Sequence, residues 1–319
     1  QPEEFYPLDV YFCRHCSFLQ LGHVVSPEVL FHNYVYVSST SHVFVAHFHD
    51  YAHQIIERLR LHDRSFVVDI GSNDGILLKP LQEHGIRVLG IEPAEHIARR
   101  ANQEGIKTLP EFFKKDLAKT IVKDSGHASL VTANNVFAHV DDLDDMVAGV
   151  KLLLSDDGVF IIEAPYLVDL LIRNYFDLVY HEHLSYLAVS TLTTLFARLG
   201  MEIFDVQKVS VHGGSIRIFV QKKGAKYLQS RHVAQFLSLE KKMKLENIQT
   251  YQAYAQKVLA NKAKLVGLLT KLKTKGASIA GYGAPAKGNT LLNYFGIGAD
   301  FLDYIVDDSP YKQGLFTPG

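Results

Sequence analysis

The sequence predicts an α/β protein whose central domain is a Rossmann-like sheet of parallel strands with helices on both faces. Apolar strand-like runs alternate with helical stretches along most of the chain, and this alternation is typical of βαβ units. Residues 66–78 combine an apolar run, a tight glycine turn and a helix start. A second run of this type begins at residue 277, so we also predict a second, smaller C-terminal α/β domain.

The elements follow from the spacing of apolar residues. Strands are expected near residues 66–70, 87–91, 129–133 and 158–163, with helices near 42–61, 75–84, 94–104, 142–154 and 190–199. Further expected elements are an antiparallel pair over 202–209 and 215–221, one long amphipathic helix over 231–275, and strands over 277–281 and 301–307.

The length of 319 residues suggests about two domains and a small accessory piece. We place a small N-terminal, partial zinc-binding module at residues 1–40 and the Rossmann-like domain at 41–205. The C-terminal α/β domain is placed at 206–319, and we expect both ends of the chain to be truncated.

The composition limits the classes of partner. An apolar content of 47% with 21% charged residues is typical of a globular protein with an ample core. The net charge of −1 argues against nucleic-acid binding, which usually requires a basic surface. No apolar run approaches the roughly 18 residues that span a bilayer, and no signal peptide is seen. We therefore expect a cytoplasmic protein without a membrane or nucleic-acid partner. We expect a monomer because no strongly apolar surface stripe is left over.

The glycine turn after the first strand has the layout of a nucleotide-type cofactor site. The turn lacks the G-x-G-x-x-G spacing and opens with a carboxylate, which suits a cationic amino-acid ligand better than a pyrophosphate. S-adenosylmethionine (SAM) is therefore predicted, with another nucleotide ligand of an α/β fold as the alternative. The predicted SAM-binding residues are Asp69, Gly71, Asn73, Gly75, Glu92, Pro93, Asn134 and Asn135.

Ionisable side chains are concentrated near residue 180. Tyr180, Glu182 and His183 can supply a phenolic hydroxyl, an orienting carboxylate and a base. A surface turn and a metal site are the alternatives, although no third ligand at metal spacing is evident.

Two glycine-containing segments can contact a phosphorylated ligand. His212 and Arg217 flank a pair of glycines between two predicted strands, and Arg217 can bind a phosphate with two hydrogen bonds. A plain β-hairpin is the alternative. Gly283, Lys287 and Asn289 lie in the second glycine turn, which opens a helix and so favours anions. An ordinary strand–helix turn is the alternative there.

Both cysteines of the chain lie in one Cys-x-x-Cys segment, at Cys13 and Cys16. Such a pair is half of a tetrathiolate zinc site. His15 or His23 can complete a mixed site, but we expect the remaining ligands upstream of Gln1, and a pair of free thiols is the alternative.

These segments together resemble a family of SAM-dependent C-methyltransferases that act on nucleotide-linked keto-deoxysugars. The matching segments are residues 6–8, 13–16, 20–21, 34–39, 69–75, 176–183, 212–217 and 281–288. The resemblance implies an N-terminal zinc-binding module, a Rossmann-like SAM-dependent methyltransferase domain and a C-terminal α/β domain. It also implies a thymidine diphosphate (TDP)-linked acceptor methylated at carbon 3, with carbon 5 as the alternative position.

The resemblance further implies a role for each site residue. His183 is expected to be the base that forms an enolate, oriented by Glu182, while Tyr180, Tyr34 and His139 contact or protonate acceptor oxygens. The expected substrate-binding residues are Ser39, His212, Arg217, Gly283, Lys287 and Asn289.

Three other functions remain open from the sequence. An O-methyltransferase would need a base but no keto group in the acceptor. A non-catalytic nucleotide-sugar-binding protein would bind the ligands without transfer. A zinc-ribbon nucleic-acid binder would need the basic surface that the composition lacks.

Overall fold

The computed structural model describes residues 4–32, 34, 37–40, 42–210, 213–310 and 312–318. The chain divides into two compact units, each built from separate segments. The sheet unit consists of Val25–Tyr166 and Leu187–Glu240, and the composite unit consists of Gln1–Val24, Leu167–Tyr186 and Lys241–Gly319.

The strands of the described residues are β1 (Val10–Phe12), β2 (Leu19–Leu21), β3 (Phe66–Ile70), β4 (Arg87–Ile91), β5 (Thr108–Leu109), β6 (Ala128–Asn134), β7 (Leu154–Pro165), β8 (Ser185–Tyr186), β9 (Met201–Val209), β10 (Ser215–Lys222), β11 (Ala280–Tyr282) and β12 (Tyr304–Val306). The helices are α1 (Pro27–Phe31), α2 (His42–Leu59), α3 (Leu78–Glu83), α4 (Glu95–Gln103), α5 (Lys115–Ser125), α6 (Leu143–Leu153), α7 (Leu167–Arg173), α8 (Val189–Arg198), α9 (Arg231–Lys242), α10 (Ile248–Thr274) and α11 (Ala286–Phe295). Short 3-10 turns occur at Ser38–Thr40, Phe137–His139 and Phe176–Leu178.

The sheet unit contains a seven-stranded mixed sheet with the order β5-β4-β3-β6-β7-β10-β9. The five strands β3 to β7 are parallel, whereas β10 runs antiparallel to both of its neighbours, β7 and β9. All five residues of β3 are buried, as expected for a parallel strand that is covered on both faces. The predicted Rossmann-like sheet and its closing antiparallel pair are therefore confirmed.

Helix α2 covers part of this sheet with an apolar stripe. Tyr51 and Ile55 are almost fully buried and belong to the same core cluster as Val67 of β3 and Phe219 of β10. The helix thus holds one face of the strands at the middle of the sheet, where the glycine turn begins.

The composite unit holds two smaller sheets. Strands β1, β2 and β8 form an antiparallel sheet, and β11 pairs with β12 in parallel. Its apolar cluster is centred on Val258 of α10 with Phe295 and Ile297, which are buried at and just after the end of α11.

The prediction of one long helix over residues 231–275 is wrong, because the chain forms α9 and α10 with a break between them. Lys244 has a positive φ of 55°, which a right-handed helix does not accommodate. The side chain of Asn247 then caps α10 by accepting the amide of Gln249 at 3.0 Å. Apolar spacing continues across such a break, so the pattern did not reveal it.

The compact units also differ from the contiguous domains expected from the sequence. Residues 167–186, expected inside the methyltransferase domain, lie in the composite unit together with the N-terminal segment. The pairing of β8 with β2 explains this, because it joins residues 185–186 to the hairpin near residue 20. Among the described residues, no helix has the length and apolar content needed to cross a membrane.

Candidate active site

The glycine turn after β3 requires its glycines. Gly71 has a φ of +67° and Gly75 a φ of +81°, in the region that favours glycine. A Cβ atom at Gly71 would lie 2.3 Å from Cγ2 of Val136. Asn73 also has a positive φ, of 48°, which asparagine tolerates better than most residues. The turn therefore passes closely against the segment that follows β6.

The amides of this turn are largely used within the protein. The amides of Gly71 and Ser72 donate to the carbonyl of Ile91 at 2.7 and 3.1 Å. The amide of Asn73 donates to the carboxylate of Glu92 at 3.0 Å. These three amides are therefore not available to a ligand carboxylate. Their hydrogen bonds instead tie the first turn to the end of β4.

Glu92 follows β4 and is held in a fixed orientation. Its Oε2 accepts the amide of Asn73 and its Oε1 accepts the amide of Ala94 at 2.9 Å. Burial raises the pKa of Glu92, and the two amide donors oppose that rise. Each carboxylate oxygen keeps acceptor capacity, so Glu92, predicted to bind SAM, fits the two ribose hydroxyls of that cofactor. Pro93, directly after it, is half-buried.

Asp69 at the end of β3 is a buried acid with neutral partners. Its Oδ1 accepts a hydrogen bond from the hydroxyl of Thr132 at 2.5 Å and one from the side-chain amide of Asn134 at 3.4 Å. Burial raises the pKa of Asp69 to about 7, hydrogen bonds lower it in part, and the charge of Glu92 adds to the rise. Such a carboxylate favours a nearby cation, which the ammonium group of SAM supplies.

Several buried oxygens at this edge of the sheet have no hydrogen-bond partner among the described residues. They are Oγ of Ser72, Oδ1 of Asp74, Oδ1 of Asn134 and Oδ1 of Asn135. An unsatisfied buried acceptor costs about 1–3 kcal/mol, so the cluster indicates a site prepared for a polar ligand. The ammonium group and the adenine amine of SAM are donors of the kind that these oxygens lack, and the residues present therefore fit this cofactor.

The 3-10 turn at Ser38–Thr40 lies against the glycine turn. The amide of Ser38 donates to Oδ1 of Asn73 at 2.9 Å, and the amide of Ser39 donates to Oδ2 of Asp74 at 3.4 Å. Ser39, predicted to bind substrate, is thereby placed at the rim of the cofactor residues.

His139 and Tyr34, both predicted on the acceptor side, share one aromatic neighbour. The imidazole of His139 stacks on Phe31 with 5.7 Å between ring centroids and 6° between planes. The ring of Tyr34 meets Phe31 edge to face at 5.7 Å. Phe31 was not predicted from the sequence, in which its only signal is its position three residues before Tyr34.

In the composite unit, His183 is buried and hydrogen-bonded at both ring nitrogens. Its Nδ1 lies 2.7 Å from the carbonyl of Leu178, and its Nε2 lies 3.1 Å from the hydroxyl of Tyr180. A carbonyl only accepts, so Nδ1 carries the proton and Nε2 presents the lone pair. The group that orients His183 at Nδ1 is thus the backbone carbonyl of Leu178, which the sequence did not predict. We had expected the carboxylate of Glu182 in that role.

Arg217 does not have the surroundings of a phosphate ligand, so the prediction for this residue is wrong. It is 4% exposed, and its Nε and Nη2 donate to Oε2 of Glu163 at 2.9 and 2.7 Å. His47 contacts the other oxygen of Glu163 at 2.7 Å. Burial alone would raise the pKa of Glu163, but the contacts with His47 and Arg217 outweigh it and hold that pKa low.

The second glycine turn follows β11 as predicted. Gly283 has a φ of +89°, and its amide donates to the carbonyl of Val306 at 2.7 Å. Lys287 is half-buried in the first turn of α11, and Oδ1 of Asn289 is buried with no partner in the described part of the chain. His212, the other residue predicted near a phosphate, lies outside the described residues.

Cys13 and Cys16 lie in the turn between β1 and β2, and both are free cysteines. Backbone amides lower the pKa of Cys13, whereas burial raises the pKa of Cys16. The described residues contain no group of three or more His, Cys, Asp or Glu side chains arranged to hold a metal ion. Two thiols are half of a structural zinc set, so the residues described here do not make a complete zinc site.

A glycine turn at the carboxyl edge of a parallel sheet, a buried acid on each of two adjacent strands and unsatisfied acceptors beside them define the cofactor site of a Rossmann-like SAM-dependent methyltransferase. Three protein-family models match the chain: "Putative zinc binding domain" at residues 1–31, "Methyltransferase domain" at 44–206 and "C-methyltransferase C-terminal domain" at 210–319.

The similarity to a characterised relative extends over the whole chain. The chain is 37% identical over 317 residues to C-methyltransferase NovU of Streptomyces niveus, covering 99% of this chain and 76% of NovU. The chain belongs to this family of SAM-dependent C-methyltransferases, and the resemblance inferred from the motifs is confirmed.

Two more distant similarities cover only part of the chain. A ubiquinone biosynthesis O-methyltransferase of Methylobacterium sp. (strain 4-46) is 30% identical over 95 residues, which is 30% of this chain and 38% of the relative. The magnesium protoporphyrin IX methyltransferase of Synechocystis PCC 6803 with bound SAH superposes with a TM-score of 0.43 at 16% identity, covering 56% of this chain and 83% of that one.

Proposed function

We propose that this enzyme methylates a carbon atom next to the ketone of a nucleotide-linked keto-deoxysugar, with a TDP-linked sugar and carbon 3 as the expected acceptor. C-methylation requires a nucleophilic carbon, and a neighbouring ketone makes the proton on that carbon removable by an ordinary base. The observation that carries the proposal is the imidazole of His183, whose Nδ1 proton is committed to the carbonyl of Leu178. Its Nε2 is therefore an acceptor, as a general base requires.

Before Nε2 of His183 can accept a proton from the sugar, the hydroxyl of Tyr180 must leave it. Tyr180 donates to Nε2 at 3.1 Å, so this hydroxyl marks the direction of the lone pair. Binding of the acceptor must turn the Tyr180 hydroxyl away from Nε2, and the hydroxyl is then available to an oxygen of the sugar. Burial raises the pKa of Tyr180, with the charges of Glu182 and Asp177 adding to it, so the phenol stays a neutral donor.

The enolate that remains carries its charge on the keto oxygen. Fixed donors at that oxygen lower the barrier because they need no reorganisation during the reaction. We assign this role to His139 and Tyr34, as the resemblance implies. SAM, when bound, supplies the methyl group from its sulfonium. Asp69, Glu92 and the acceptor oxygens near them hold this cofactor.

The second glycine turn is assigned to the nucleotide. Lys287 is half-buried in the first turn of α11, and Asn289 of the same helix has a buried carbonyl oxygen without a partner in the described part of the chain. A cation and a polar amide at a helix start suit a diphosphate and the groups attached to it. The acceptor is therefore a small molecule, and neither a nucleic acid nor a membrane is part of the proposal.

The test is methyl transfer from methyl-labelled SAM to a panel of TDP-linked and other nucleotide-linked 4-keto-6-deoxysugars. Mass and carbon NMR of the product identify the methylated atom. A methyl group on a carbon next to the ketone supports the proposal. A methyl ether on any panel member contradicts it, and so does the absence of transfer to every member while SAM binding is intact.

A further inference from the structure

Two tyrosine hydroxyls in the composite unit are buried without a hydrogen-bond partner. They belong to Tyr186 in β8, which is 5% exposed, and to Tyr254 in α10. No donor or acceptor of the described residues reaches either oxygen. Other tyrosines of the same unit are satisfied: the hydroxyl of Tyr251 donates to the carbonyl of Leu245 at 2.7 Å, and that of Tyr180 contacts His183.

The two hydroxyls belong to the surroundings of Tyr180. Tyr186 follows His183 by three residues and lies in β8, which begins two residues after His183. Tyr254 in turn is influenced by Asp177, which also acts on Tyr180. Tyr254 packs together with Phe176, the residue before Asp177, against the apolar cluster of Val258 and Phe295, so we treat Tyr180, Tyr186, Tyr254 and Asp177 as one polar cluster.

The chemistry of this cluster points to an uncharged polar ligand. Burial raises the pKa of Tyr186 and of Tyr254, so both phenols stay neutral and each presents an O–H donor. Aromatic rings with free hydroxyls provide both an apolar surface and directed donors. A sugar ring, with its apolar C–H groups and its oxygen atoms, needs both.

We propose that Tyr186 and Tyr254 are acceptor-positioning residues, whose hydroxyls bind oxygen atoms of the sugar that His183 deprotonates. This inference rests on the proposed function and extends it by naming two residues that no motif indicated. A phenylalanine would pack equally well at either position. A buried hydroxyl without a partner lowers the stability of the ligand-free protein, and binding of the ligand oxygen offsets that loss.

The test uses Tyr186→Phe and Tyr254→Phe in the whole chain. We measure the melting temperature without ligands, the SAM dissociation constant, and KM and kcat for TDP-4-keto-6-deoxyglucose. Each variant should melt at the same temperature as the wild type or higher. The KM should rise at least tenfold with SAM affinity unchanged, because only the acceptor loses a hydrogen bond.

Tyr251→Phe is the matched control, because it removes a hydroxyl of α10 that already has a partner at 2.7 Å. This control should melt at a lower temperature than the wild type and should leave KM unchanged. The two test variants should instead keep or raise the melting temperature and raise KM. A general loss of packing would lower the melting temperature and therefore cannot produce this result.

Two results would overturn the inference. A lower melting temperature of Tyr186→Phe and Tyr254→Phe would show that both hydroxyls stabilise the fold. An unchanged KM would show that they do not contact the acceptor.

If the wild type transfers no methyl group, the proposed reaction fails by itself. Stabilisation of the wild type by the nucleotide sugar in a thermal-shift experiment then decides between two outcomes. A shift that both phenylalanine variants lose supports the two residues as ligand contacts, and a shift that they keep, or no shift in the wild type, contradicts the inference.

Discussion

The guanidinium of Arg217 donates to one oxygen of the Glu163 carboxylate through both Nε, at 2.9 Å, and Nη2, at 2.7 Å, in the interior of the sheet. The two residues are direct partners across the antiparallel pair β10–β7. The ring of Tyr51 lies 3.5 Å from the guanidinium carbon. This ion pair joins β7, a parallel strand of the sheet, to the antiparallel strand β10. Its guanidinium belongs to Arg217, the residue that we expected to bind phosphate.

Arg217→Met should therefore destabilise the protein strongly and not act through substrate affinity. Loss of one partner leaves the Glu163 carboxylate buried without its main counterion, which costs about 3–5 kcal/mol. Chemical denaturation measures this difference. The control is Arg198→Met, because Arg198 pairs with Asp144 at the surface, where such pairs contribute about 0–1 kcal/mol. A stable Arg217→Met protein with weakened acceptor binding would restore the phosphate-binding interpretation.

The affinity for SAM should depend on pH through Asp69. The pKa of Asp69 is raised to about 7 in the ligand-free protein, so below pH 7 the cationic cofactor must displace a proton. Affinity should then fall by up to about tenfold for each pH unit below 7 and stay constant above it. Calorimetry from pH 5.5 to 8.5 measures this. Asp69→Asn should bind weakly with a flat profile, and an equal pH slope in that variant would assign the titration to another group.

The stability of the ligand-free protein should also depend on pH through Asp69. The pKa of Asp69 is higher in the folded protein, about 7, than its ordinary value of 3.8. Between these values the folded state binds more protons, so stability falls as pH rises from about 4 to about 7. The decrease should be smaller in Asp69→Asn. Melting curves of the two proteins across this range test the sign, and a parallel pH dependence would contradict it.

Gly71→Ala should remove SAM binding and lower stability. The positive φ costs about 1–2 kcal/mol for a residue with a Cβ, and the contact at 2.3 Å with Val136 adds the cost of overpacking, about 1–3 kcal/mol. Gly85→Ala is the control, since Gly85 has a φ of +76° but open space around the position of its Cβ. The double variant Gly71→Ala with Val136→Ala should recover part of the loss. No recovery would mean that backbone strain alone is responsible.

His183→Ala should abolish turnover while SAM still binds. Removal of a general base typically lowers the rate by about 10²–10⁴-fold, and the cofactor residues are on other segments of the chain. Initial rates and calorimetry measure the two effects separately. A loss of SAM affinity in this variant would instead assign a structural role to His183.

The agreement between sequence and structure is closest where local rules apply. The strand at 66–70, the glycine turn after it and the acid at Glu92 were all predicted, because apolar runs and positive-φ glycines are local features. Glu163 carried a signal that was overlooked, namely an acid in the otherwise apolar run of residues 159–165 in β7.

Other features have no local signal. The break between α9 and α10 keeps the apolar spacing of a continuous helix, and it depends on one backbone conformation at Lys244. The orienting carbonyl of Leu178 is also invisible in the sequence, because every residue has a carbonyl and only the turn geometry selects one.

The sequence by itself determined the main strands of the central sheet, the glycine turn, the two acids of the cofactor site and the family, because each depends on residues close together in the chain. Only the tertiary structure decided the partner of Arg217, the internal use of the turn amides and the division into two units. Those outcomes depend on which distant groups become neighbours in the interior. In the interior a charge needs a counterion and a polar atom needs a hydrogen-bond partner. The order of residues along the chain does not specify which group becomes that partner.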